Sequence, residues 1–144
     1  MAKLSYTGRS IMPQEYLHIR MELGLPQLGF PVAARALRDD IFDVVVLLDG
    51  ETPVGCGRVI GDGALNFYLQ DILVAPKYQR RGVGSRILQL MLERLCALAA
   101  PGAFIGLIAA PGTEAFFAKN GFAARPADAP GMQLLPQQQT AGQA

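Results

Sequence analysis

Cysteine and histidine are scarce: Cys56, Cys96 and His18 are all that the 144 residues contain. That excludes a disulfide framework, and no spacing among the three would hold a structural metal, so no metal is expected. Both thiols are expected to be reduced and packed, Cys56 in a strand-like run and Cys96 on an apolar helix. An excess of one charge is also missing. With 13 Lys and Arg against 12 Asp and Glu, net charge +1, there is no global field for nucleic acid or an anionic membrane, and neither partner is expected. No apolar run approaches the ~20 residues a membrane-spanning helix needs, and residues 5–10 interrupt any signal sequence. A cytoplasmic location is expected, and no internal repeat is visible. What is present is a 51% apolar fraction with 10 prolines and 16 glycines, enough for a core built from many short elements. One domain is expected over residues 1–135, with 136–144 as a polar, disordered tail.

Periodicity and turn residues place the elements. A short strand at residues 3–7 precedes a helix from Pro13 to about Glu22, with proline where its missing amide costs nothing and Gly24 as the stop. Leu17, Met21 and Ile19 are expected to face inward. An apolar but Pro/Gly-punctuated loop, Leu25 to Pro31, suits a folded lid, and a second helix is expected from Val32 to about Arg38. Phe42–Leu48, Pro53–Ile60 and Leu65–Val74 read as a three-stranded meander, joined by Asp49-Gly50 and Gly61-Asp62-Gly63. A helix from Gly82 to about Leu98 follows, with Val83, Ile87, Met91 and Leu95 on its apolar face. Phe104–Ala109 reads as a strand buried on both faces, parallel to the one ending at Val74. A helix over residues 113–120 and a last strand at Met132–Leu135 complete the chain.

The stretch between the meander and the long helix carries the chemistry. It runs Val74-Ala75-Pro76, then Lys77-Tyr78, then Gln79-Arg80-Arg81-Gly82-Val83-Gly84-Ser85. The first amides of a helix lack intrahelical acceptors and lie at the positive end of its dipole, and glycines let an anion approach them closely. Arg80, Arg81 and Arg86 add charge suited to a diphosphate. A P-loop would require Lys and Ser or Thr directly after the last glycine, where Ser85 and Arg86 stand. A dinucleotide fingerprint would require glycine at position 87, which is Ile87.

Gln/Arg-x-x-Gly-x-Gly after a Val-x-Pro strand end resembles the GNAT superfamily of N-acetyltransferases, in the form of a small bacterial-type member. The order of elements agrees over residues 3–135. So does Phe116-Phe117-Ala118-Lys119-Asn120-Gly121-Phe122, which is similar to the family's Phe-Tyr-x-x-x-Gly-Phe. Arg58 to Gly63 with Gln70-Asp71-Ile72, together with Arg125-Pro126 and Gly131-Met132, looks like a bacterial subgroup. The resemblance implies an α/β (α+β) fold: a mixed, mostly antiparallel sheet of six to seven strands flanked by helices, with a splayed parallel pair at the cofactor cleft. It implies acetyl-CoA as co-substrate and an amine as acceptor. Coenzyme A would be held by Leu73, Val74, Gln79, Arg80, Arg81, Gly82, Val83, Gly84, Ser85 and Phe117, with a bulge near Leu73 freeing an amide for the developing oxyanion. A homodimer stays open.

The family's base lies on the fourth strand, at positions matching Tyr68 and Gln70. Tyr68 is thus a catalytic candidate, or else a packed strand aromatic. Asp71, the only carboxylate on that strand, has apolar neighbours that would make it a better proton acceptor, or it is a structural carboxylate. His18 and Glu22, one turn apart, suit either a substrate side or a solvated face. The family's acid is the tyrosine where this chain has Phe117, and an asparagine often found near that helix is replaced by Ala110. These departures keep a second reading alive, a coenzyme A binding or sensing module with little turnover. Phe117→Tyr adds one hydroxyl to a ring already in place and is expected to raise kcat ~10-fold or more, the lower part of what a general acid contributes. Steady-state turnover checks it. A normally folded variant with unchanged acetyl-CoA affinity and no gain in rate would remove position 117 from proton delivery.

Overall fold

A computed structural model describes residues 2–135, and the expected tail at 136–144 lies outside them. The described chain divides after Ile108 into two compact units. The first holds β1 (Leu4–Thr7), α1 (Pro13–Glu22), α2 (Phe30–Leu37), β2 (Phe42–Leu48), β3 (Thr52–Gly61), β4 (Asn66–Val74), a 3-10 turn (Pro76–Tyr78), α3 (Val83–Leu98) and β5 (Phe104–Gly106). Its sheet runs β1-β2-β3-β4-β5, antiparallel throughout except for β4 and β5, which are parallel. The second unit contains α4 (Glu114–Ala118).

The mixed, mostly antiparallel sheet is the one expected, with five strands among the described residues instead of six to seven. Met132–Leu135 forms no strand. Met132, Leu134 and Leu135 are 79–93% exposed, and apolar strand residues with nothing packed on them gain no burial to offset the ordering of the backbone. β5 is also shorter than expected, and Phe104 is 47% exposed, so this strand is not buried on both faces.

Each sheet face is covered by helices from different parts of the chain. On one face Ile11, Tyr16 and Ile19 join Ala33 and Leu37 over Val45, Leu47 and Cys56, with Leu23 and Leu28 of the α1–α2 loop packed against them. The expectation for α1 is corrected here: Tyr16 and Ile19 are buried, Leu17 is half-buried and Met21 is exposed. The polar Pro13–Glu22 sequence has no apolar stripe, so the α1 interface is set by Tyr16 instead of by periodicity. Arg20 donates to the Pro26 carbonyl (2.7 Å), which ties the α1–α2 loop down.

α3 covers the other face with Val83, Ile87, Leu88, Met91 and Leu95 buried, as its periodicity predicts. It approaches closely because β3 carries Gly57 beneath it. A Cβ there would stand 2.5 Å from Met91 Sδ and 2.8 Å from Ile87 Cγ2. Cys56 is buried, but Cys96 on α3 is exposed, against the expectation of two packed thiols. Position 96 follows the buried Leu95 by 100° of helix turn and so leaves the core stripe.

Asp49 and Gly50 both take positive φ (52° and 75°), as a tight hairpin of this hand requires. In the second turn Asp62 Oδ1 accepts the amides of Ala64, Leu65 and Asn66. These hydrogen bonds, that from Asn66 foremost, hold its carboxyl well below the usual carboxylate range.

Candidate active site

Two features of β4 build the site. Its pairing with β5 covers only Asn66–Phe104, Phe67–Ile105 and Tyr68–Gly106, whereas β4 itself continues to Val74. Among the described residues, the β5 side of β4 is an unpaired edge beyond Tyr68. The second feature is a bulge: β3 advances two residues from Cys56 to Arg58 while β4 advances three, from Gln70 to Leu73. Asp71 takes up the extra residue with φ of 53°, a left-handed conformation that side chains with a Cβ adopt at a cost.

The bulge sets which amides face the open edge. Ala75 N–H donates to the Val54 carbonyl of β3 (2.8 Å), so by alternation Leu73 turns its main chain to β3, opposite Cys56, and Val74 turns its own outward. The outward amide is therefore that of Val74. Its carbonyl accepts from Gln79 Nε2 (2.9 Å), so the Gln79 side chain braces the loop against the strand end.

The loop delivers a helix start bare of acceptors. Gly82, the N-cap of α3, has φ of 81°, and no atom lies within 4 Å of where its Cβ would be. The first helical bond runs from Arg86 N–H to the Gly82 carbonyl (3.0 Å), and the amides of Val83, Gly84 and Ser85 have no backbone acceptor among the described residues. Arg80, also left-handed at 61°, is exposed beside them, Arg81 lies over the Tyr78 ring at 5.8 Å, and Arg86 bonds Gln89 (3.0 Å). An anion of diphosphate size fits such a mouth on charge and on free donors.

Beneath β4, on the α1–α2 face, lies a buried ionic network that the sequence reading missed. Arg58 donates through Nε and Nη2 to both oxygens of Asp40 (2.9 Å each), through Nη2 to the Ala36 carbonyl (3.0 Å) and through Nη1 to Asp71 Oδ2 (2.8 Å). The Tyr16 hydroxyl donates to the same Asp71 oxygen, and Gln70 Nε2 reaches Oδ1 at 3.3 Å. Burial lowers the proton affinity of Arg58, but Asp40 and Asp71 outweigh it and raise its pKa above the ordinary value. Burial, then the hydrogen bond to Asp71, pushes Tyr16 up to about 12.

Asp43, opposite Arg58 in the β2–β3 register, accepts the Ile11 amide (2.9 Å) and meets Asp40. Its Oδ1 is buried without a hydrogen-bond donor, and burial first, then the neighbouring Asp40 carboxyl, raises its proton affinity above that of an ordinary aspartate. A signal for this network was available: β2, β3 and β4 each carry one charged residue, Asp43, Arg58 and Asp71, in otherwise uncharged strands.

The remaining expected residues are dispersed. Tyr68 is half-buried at the last β4–β5 rung, its hydroxyl with no hydrogen-bond partner among the described residues. His18 pairs with Glu22 at 3.6 Å on the outer side of α1. In the second unit, Phe117 lies on α4, edge-on to Phe116 (5.0 Å) and Phe122 (5.9 Å).

With the splayed pair, the bulge and the bare helix start in view, the family comparison decides the matter: the sequence model of the acetyltransferase (GNAT) domain matches residues 40–124. The chain belongs to the GNAT acetyltransferase family. Similar GNAT-fold structures span its length. A protein of unknown function from meticillin-resistant Staphylococcus aureus, described as a probable acetyltransferase, is 27% identical, with a TM-score of 0.80 over 94% of this chain and 100% of that one. A GNAT-family acetyltransferase from Streptococcus pneumoniae is 25% identical, with a TM-score of 0.73 over 96% and 100%. N-acetylglutamate synthase from Neisseria gonorrhoeae, complexed with coenzyme A and L-arginine, shares the fold at 17% identity, TM-score 0.64, over 95% of this chain and 30% of that one. A search of curated proteins finds no match. No helix among the described residues is long and apolar enough to cross a membrane, and no group of His, Cys, Asp and Glu among them could hold a metal ion.

Proposed function

We propose that this GNAT domain is a cytoplasmic N-acyltransferase that passes the acetyl group of acetyl-CoA to a primary amine of a small molecule or protein, by direct attack in a ternary complex. The observation that carries this reading is the pairing of two donor sets on one strand–loop–helix unit: the unpartnered amides at the start of α3 and the open edge of β4 ending at the Val74 amide. The first suits the diphosphate of coenzyme A and the second its amide-bearing arm, which can add to β4 as a strand would. The gonococcal synthase, which shares the fold, is complexed with coenzyme A, and this supports coenzyme A as the ligand.

Within this reading the diphosphate is bound by Gly82, Val83, Gly84 and Ser85 through main chain and by Arg80 and Arg81 through charge. Gln79 holds the loop to β4. The β4 edge near the bulge supplies a fixed N–H donor for the carbonyl oxygen as it gains charge, worth ~3 to 4 kcal/mol in comparable sites. Tyr68, at the fork of β4 and β5, is the proton-handling side chain of the proposal.

Coenzyme A release measured with a panel of primary amines tests it. Amine-dependent release at a steady rate is expected. Tight acetyl-CoA binding without release to any amine would favour the sensing module that Phe117 keeps in play, and absence of binding would overturn both readings.

A further inference from the structure

The centre of the charged network under β4 is shut away from solvent. Arg58 is 5% exposed, and each of its three guanidinium nitrogens donates within the protein. Its four anchorages belong to four pieces of chain: Tyr16 on α1, Ala36 on α2, Asp40 in the α2–β2 turn and Asp71 on β4. Only the last sits in a backbone conformation that needs holding, at φ of 53° in the one irregular step of the β3–β4 ladder. The Cys56 thiol adds a weak bond to the Asp71 carbonyl (3.4 Å) from the strand opposite. Both carboxylate oxygens of Asp71 are taken up by neighbours, with Oδ2 shared by Arg58 and Tyr16. A proton arriving at either oxygen would have to displace one of these donors, so the carboxylate is committed to holding its neighbours.

We propose that Arg58 and Tyr16, acting through Asp71, hold the β4 bulge in register for acyl transfer, so that Asp71 is a positioning residue and not the reaction's base. The inference rests on the acyltransferase reading above. The clamp fixes which main-chain groups face the open edge: without the extra residue at position 71, the alternation from Gln70 to Val74 shifts by one and the edge presents the wrong amides. The diphosphate loop at residues 79–85 is untouched by it.

Three substitutions at one position separate holding from proton transfer. Asn adopts the left-handed conformation and still accepts from Arg58. Gly adopts it freely without the clamp. Ala does neither. Asp71→Asn and Asp71→Gly are expected to keep kcat near wild type, while Asp71→Ala falls below Asp71→Gly by about 10-fold, the scale of the left-handed penalty for a residue with a Cβ. Acetyl-CoA affinity by calorimetry is expected to stay near wild type in the Asn and Gly variants and to weaken in the Ala variant, whose shifted β4 edge no longer presents the Val74 amide. Nuclear Overhauser contacts between Cys56 and Leu73 report the register directly and are expected to persist in the Asn and Gly variants and to weaken in the Ala variant. If Asn and Gly lose rate as heavily as Ala, by the roughly 10²-fold or more of a missing base, with register intact, the proposal is overturned. If the wild type turns over no amine, the acyltransferase reading fails, and the register contacts alone decide the clamp: their retention in Asp71→Ala overturns it.

Discussion

Gly84→Asp is expected to abolish measurable acetyl-CoA binding in a protein that folds normally. Gly84 is the second residue of α3, between two other residues whose amides have no backbone acceptor among the described residues. An acidic residue in the first turn interacts favourably with the helix dipole, so helix formation does not suffer. The carboxylate would satisfy locally the donors that a diphosphate needs and would repel its charge at close range. Loss of the main-chain cradle together with like-charge repulsion is worth at least ~4 kcal/mol, or roughly 10³-fold in affinity. Calorimetric titration of the folded variant measures it, with Gly84→Ala as the control that adds bulk without charge. Unchanged affinity in Gly84→Asp would reduce the glycine loop to a helix start.

The second large effect is on stability and depends on pH. Burial first, and then the hydrogen bond with Asp40, raises the Asp43 carboxyl to about 7, against the pull of the Ile11 amide and Arg58. An unfolded aspartate titrates near 3.9. Between these values the folded chain binds more protons than the unfolded one, so stability falls as pH rises from about 4 to 7 and is level above. Asp43→Asn replaces the protonated form by a neutral amide, which can donate to Asp40 and still accept from Ile11. The variant is expected to be more stable than wild type at pH 8 by about 2 to 4 kcal/mol, with the gap closing as pH falls toward 4. Urea unfolding at several pH values gives the comparison. Parallel curves for the two proteins would mean that the Asp40–Asp43 contact holds no proton.

Local rules made much of this fold legible. Pro13–Glu22 and Phe42–Leu48 are found at the bounds the sequence predicts, because proline at a helix start and an Asp-Gly hairpin leave little choice. The apolar face of α3 and the parallel placement of β5 followed from periodicity and from the crossover that a helix between two strands imposes. The inward side of α1 was not legible, since a polar helix with no stripe is oriented by what Tyr16 meets, and that partner is 55 residues away. The start of α3 at Gly82 was readable because glycines after a strand end mark a turn into a helix. The network around Arg58 was harder to see. Its members Asp43, Arg58 and Asp71 are brought together by sheet register and Tyr16 and Asp40 by the packing of α1 and the α2–β2 turn on that face, and each taken singly reads as an ordinary polar residue. Three charges, one on each central strand, were the available sign that a buried basic residue meets acidic partners.

The central claim is that the start of α3 and the edge of β4 hold coenzyme A together, and an amide-resolved NMR titration of the wild-type protein with acetyl-CoA tests it most directly. The amides of Gly82, Val83, Gly84, Ser85 and Val74 are expected to shift together with a single saturating dependence on ligand, while those of the Asp62 turn and β1 stay in place. Shifts confined to other parts of the chain, or none at saturating acetyl-CoA, would contradict the account.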